Sequence, residues 1–150
     1  MSAFRHLPNR DLGLLILRAA GLLLVVTFGI QKIGWYWSAF YTGKSILHAG
    51  LAPLIGRMGF PIPFVLALWI TFNESIGAFL IACGLWTRLL AASAALGMAG
   101  ALYTSVRLEE DWLRAVLYLI VFGGLALTGP GKFSVDHFLE GRKSVAAKSA

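Results

Sequence analysis

Glu74 and its neighbour Asn73 interrupt the middle of an apolar run from Pro61 to Trp86, PIPFVLALWITFNESIGAFLIACGLW, and Arg18 and Lys32 interrupt an earlier one. An ionisable group at that depth in hydrocarbon costs about 3 kcal/mol or more unless it faces protein and finds a partner. A carboxylate met there by a cation can fix helix register, bind a polar headgroup or relay a proton. The residue types leave these alternatives open.

Other chemistries lack their residues. His6, His48 and His137 all lie outside the apolar runs, whereas a haem-holding bundle needs histidines facing one another within it. There is no HExxH and no Cys/His ligand set, so no metal is expected. The single Cys83 excludes an internal disulfide or a CxxC pair and is expected to be a small packing residue. Ser75 and Tyr103 have no base beside them in the pattern, and the glycines form no phosphate loop.

Composition says what must hold these residues. The chain is 58% hydrophobic and 13% charged, with a mean hydropathy of +0.76, and its apolar runs lack the polar faces of soluble helices. The lipid bilayer is therefore its solvent. The net charge of +6 comes from basic residues set singly at the ends of apolar runs and in the C-terminal tail. That is membrane-protein placement, not a nucleic-acid surface.

The predicted fold is all-α: an integral membrane four-helix bundle with spans at about 12–33, 61–86, 89–106 and 112–128, at about 20 residues per crossing. Residues 1–11 form an N-terminal arm on the cytoplasmic side, with Asp11 or Asn9 capping the first span. Within that span Arg18, Gly21, Val25, Gly29 and Lys32 share one face, whose small residues suit close approach of another helix. The connection 34–60 opens with Trp35, Tyr36, Trp37, Phe40 and Tyr41, an interfacial aromatic belt, and continues as a broken amphipathic segment on the membrane surface or over the bundle mouth.

The third span is rich in alanine and glycine, which calls for packing on more than one side. Asp111 is placed to cap the fourth, Arg114 to snorkel, and the glycine-proline-glycine turn at 129–131 to stop it. Phe133, Val135, Phe138 and Leu139 mark a short surface helix, and 140–150 a disordered basic tail. Seven basic residues fall on the side of the termini against five on the other, which predicts cytoplasmic termini in a bacterial-type inner membrane.

With the first two spans antiparallel, Arg18 stands about 9 Å and Glu74 about 16–18 Å above the inner boundary at 1.5 Å per residue. An Arg18–Glu74 pair is expected, with Lys32 as the lesser candidate from the outer side. Asn73, about 100° off the Glu74 line, is expected to bond a neighbouring helix.

Several stretches in order carry a resemblance: FGIQKIG closing an arginine-bearing first span, MGFPIP before the second, NESIGAFLIACGLWTRL, and GPGKFSVD near the end. Together they resemble the DoxX family of small four-span membrane proteins over about residues 12–139. The resemblance implies a compact four-helix bundle and a membrane oxidoreductase component. Some relatives are similar to small subunits of thiosulfate:quinone oxidoreductases, so a quinone and a redox partner subunit are the ligand and partner it implies. It singles out Arg18, Lys32, Glu74, Gly84, Arg88 and the Gly129-Pro130-Gly131 turn.

Three functions follow as expectations. One is a quinone-facing subunit whose partner protein carries the redox centre, since this chain has none of its own. The second is a non-catalytic scaffold or assembly factor; a homo-oligomer is compatible with each of the three. The third is a proton-coupled exporter, although four-span exporters of that kind carry their glutamate in the first span.

Overall fold

The computed structural model describes residues 9–139, all helix and connecting turns with no strand among them. Most of the N-terminal arm and the 140–150 tail lie outside the described residues. Among the described residues three helices are long and apolar enough to cross a membrane: Arg10–Tyr41, Pro63–Cys83 and Thr87–Arg107. A fourth, Leu113–Thr128, is shorter at 16 residues, about 24 Å of helix. The protein is a multi-pass membrane helix bundle.

The first span does not stop at Ile33. It runs for 32 residues to Tyr41, so the aromatic cluster read as a loop is helical. A lone Gly34 costs a helix only about 1 kcal/mol. Against that, Trp37 and Tyr41, one turn apart, bring their rings to 5.1 Å between centroids. The helix gives way only at Thr42 and Gly43, where φ reaches +65°.

The first and second spans each contain a widened π-helical turn, Val25–Gly29 and Asn73–Gly77, and the two turns lie against each other. Part of the cause is local. Thr71, Asn73 and Ser75 each return a side-chain hydrogen bond to the carbonyl four residues earlier, at 2.8, 2.8 and 2.5 Å, a habit that bends helices. The expected small-residue face of the first span is the contact surface. A Cβ on Gly21 would strike the Ala78 carbonyl oxygen and one on Gly29 the Glu74 carbonyl oxygen, so both positions admit only glycine without backbone movement.

The connection folds back as expected. A short helix, Ala52–Arg57, buries Ala52 and Ile55 against Ala67 of the second span, with Phe60, Phe64 and Ile70 around them. The third span packs on both the second and the fourth, burying Ala91, Ala94, Gly97 and Met98. With Leu14, Leu24, Ile81, Phe122 and Leu125, the side chains of Ala91, Ala94 and Met98 form the main core. Large apolar side chains such as Ile16, Leu23, Val26, Ile120 and Leu127 point outward, which in this fold means toward lipid.

The end where the first span begins is closed by the segment after Thr128. Asp136 accepts hydrogen bonds from the Trp86 and Thr87 amides at 2.9 and 3.2 Å, capping a third span that has no capping side chain of its own. Its amide in turn donates to the Gly84 carbonyl at 3.0 Å. Asp11 does not cap the first span; it accepts the Lys132 amide at 3.0 Å. At the opposite end Asp111 accepts the Leu113 amide and pairs with Arg114, both at 3.1 Å.

Candidate functional site

Glu74 is met inside the bundle by Lys32, not by Arg18. Lys32 Nζ donates to Glu74 Oε2, and both side chains are less than a tenth exposed. The reason lies in how helical side chains lean. Every Cα–Cβ bond tilts toward the N-terminus of its helix. In antiparallel spans Lys32 therefore leans down toward Glu74 while Glu74 leans up toward Lys32. Arg18, on the same helix as Lys32, leans down as well, and from its lower level that carries it away from Glu74.

Arg18 is level with Gly84, ten residues below Glu74 on the second span, a gap of about 15 Å that its side chain cannot bridge. Its partners are backbone carbonyls: Nη1 donates to Pro130 O at 3.0 Å and Nη2 to Phe133 O at 2.6 Å. It is 2% exposed, both of its hydrogen bonds go to carbonyl oxygens, and Asp136 is the carboxylate near enough to act on its charge. Gly84, at φ +78°, leaves the space the guanidinium occupies; a Cβ there would lie 3.0 Å from Arg18 Cζ and 2.6 Å from Ser134 Cβ. Gly129, at φ +85°, does the same for Arg88, whose Nε would be 2.8 Å from an added Cβ. The positions singled out by resemblance thus divide into two groups. Arg18, Gly84, Arg88 and the Gly129-Pro130-Gly131 turn lock one end of the bundle, and Lys32 with Glu74 occupies its interior.

Asn73 belongs to neither group. Its Nδ2 donates to Trp69 O within its own helix, so it bonds no neighbouring span, and it does not reach the Lys32–Glu74 pair.

Two cavities meet at that pair, and Lys32 and Glu74 line both. One, of about 430 Å³, leads toward the loop between the third and fourth spans and is lined by Ser105, Glu110, Asp111, Arg114 and Tyr118 besides Phe28 and Met98. The other, of about 390 Å³, is apolar, with Leu54, Ile55, Phe60, Leu66, Trp69 and Leu96 in its wall. The short helix of the connection thus walls the apolar cavity. Lys32 Nζ and the Arg114 guanidinium each lie 5.8 Å from the Phe28 ring centroid, within cation–π range. Trp69 is held by a 3.1 Å hydrogen bond from Nε1 to Ser93 Oγ. Among the described residues no three His, Cys, Asp or Glu side chains gather as a metal would require.

Chemically, the pair offers an ammonium that can donate to a carbonyl oxygen and a carboxylate that can hold a proton. Both stand on the wall between a polar cavity and an oily one. Sequence reasoning missed Phe28, Trp69 and Tyr118 in those walls, because aromatic residues inside apolar spans carry no signal separating lining from packing. It also gave Asp136 no role, although a third span without its own cap, followed by a later acidic residue, hinted at one.

No curated protein and no solved structure matches the chain. A family model described as DoxX does, over residues 13–107. The match takes in the first three spans with Arg18, Lys32, Asn73, Glu74, Gly84 and Arg88, and stops short of the fourth span and the turn at 129–131. On a match to well over half its length, this chain belongs to the DoxX family.

Proposed function

We propose that the protein is a quinone-facing membrane subunit of an oxidoreductase system in a bacterial-type inner membrane, with its termini on the cytoplasmic side. The observation that carries this reading is the buried Lys32–Glu74 pair placed where a polar and an apolar cavity meet. A quinone is a carbonyl-bearing ring on an apolar chain, and the donor set suits it. Lys32 would hold a ring carbonyl, while Leu54, Phe60, Leu66 and Trp69 would take apolar substance from the membrane.

When bound, a quinone accepts two electrons and two protons. Glu74 can hold a proton at Oε2, and the polar cavity connects it to Glu110, Asp111 and Arg114 near the bundle end. The electrons come from a partner subunit that carries the redox centre. If the pair were only a structural tie, as in a scaffold, neither cavity would need to reach it. The test is quinone reduction by the reconstituted complex. Glu74→Gln should lower turnover at least tenfold while the complex stays assembled, and unchanged turnover would refute the assignment.

A further inference from the structure

A third cavity lies at the end where the first span starts, away from Lys32 and Glu74. About 1080 Å³ opens between the start of the first span, the turn before the third span, the Gly129-Pro130-Gly131 turn and the docked segment behind it. We propose that this cavity binds the phosphate of an anionic phospholipid, held by Arg10, Arg88 and Lys132. Three cations line it beside His137, against two carboxylates, Asp11 and Asp136.

Both carboxylates are already engaged. Asp11 accepts the Lys132 amide, and Asp136 accepts the Trp86 and Thr87 amides. Among the described residues neither Arg10 nor Arg88 has an ion pair, and Lys132 Nζ stands 4.0 Å from Asp11. Arg88 is not a free-swinging surface cation, because its Nε lies against Gly129, in a space that only glycine leaves open. Two guanidiniums and an ammonium around one cavity are the donors that phosphate oxygens take.

The source of that phosphate follows from the mouth. Trp86 and Leu89, also in the cavity wall, are 67% and 69% exposed at the end of the spans. There an indole and a leucine side chain meet the upper acyl chains of a lipid whose headgroup reaches inward. A soluble phosphate would have no use for them.

The test uses the full chain, purified in an uncharged detergent and stripped of lipid, then titrated with phosphatidylglycerol or phosphatidylcholine in mixed micelles. Retention of lipid by native mass spectrometry and the shift in melting temperature are read together. Phosphatidylglycerol is expected to bind at least tenfold more tightly than phosphatidylcholine and to raise the melting temperature. The Arg10→Gln, Arg88→Gln, Lys132→Gln triple variant should lose most of that preference. Arg88→Gln alone should lower affinity severalfold, with its lipid-free melting temperature reporting any loss of the contact with Gly129, and Arg57→Gln with Arg107→Gln at the opposite end should not. Equal binding of the two lipids, or an unchanged Arg88→Gln variant, would overturn the proposal. Displacement of the lipid by millimolar inorganic phosphate would overturn the lipid assignment by giving the site to a soluble anion.

Discussion

Replacing Gly29 by alanine tests the contact that brings Lys32 and Glu74 together. The added methyl would meet the Glu74 carbonyl oxygen and lie 2.9 Å from Ser75 Cα, and because both are main chain no rotamer change can relieve the clash. The two π-helical turns must separate, at about 1–3 kcal/mol for an overpacked contact. Alanine's own helical preference over glycine offsets about 0.5–1 kcal/mol of this. Gly34→Ala supplies the control: it carries the same backbone change on the same helix, and its Cβ meets nothing within 4 Å. The difference between the two variants isolates the clash. In thermal unfolding in detergent, Gly29→Ala should melt several degrees below Gly34→Ala, at about 2–4 °C per kcal/mol for a chain of this size. Because Lys32 sits on the next turn, Gly29→Ala should also impair any activity that depends on the pair. Equal melting of the two variants would refute the close approach and the register built on it.

Other perturbations separate the two polar centres. Arg18→Met removes two charge-assisted hydrogen bonds to the segment after Gly129 and should cost about 3 kcal/mol. Limited proteolysis in detergent should then cut after Lys132 several times faster than in the wild type, and an unchanged cleavage rate would contradict the lock. Gly100→Leu should leave the melting temperature within about 1 °C of wild type, because Gly100 lines the apolar cavity and nothing lies within 4 Å of an added Cβ. Its side chain would occupy space the proposed quinone needs, so turnover of the reconstituted complex should fall at least tenfold; full turnover would remove the quinone from that cavity.

Much of this was readable from residue types. The burial of Glu74 followed from its place in an apolar run, and the inward face of the first span followed from Gly21, Gly29 and the two cations spaced along it. What failed was the choice of cation. Counting rise per residue put Arg18 within reach, but the count fixed neither the true level of one span against the other nor the opposite lean of Arg18 and Glu74. Close contact at Gly21–Ala78 and Gly29–Glu74 sets that level, and no single-helix pattern reveals it. The aromatic stretch after Gly34 was misjudged because interfacial composition is the same for a loop and for a helix that outlasts the bilayer. Asn73 was given a partner across the bundle, although a mid-helix asparagine can turn its amide nitrogen to the carbonyl one turn back. The cavities arise from where four helices fail to touch, a property of the assembled bundle.

The most direct measurement is a pair of double-mutant cycles on unfolding free energy in detergent. Lys32→Met and Glu74→Gln should each cost about 3–5 kcal/mol, since each strands a buried charge or dipole. Together they should cost well under the sum, with a coupling of about 2 kcal/mol or more. Arg18→Met combined with Glu74→Gln should be additive to within about 0.5 kcal/mol. Additivity at Lys32 with strong coupling at Arg18 would contradict the pairing on which the site and its proposed chemistry rest.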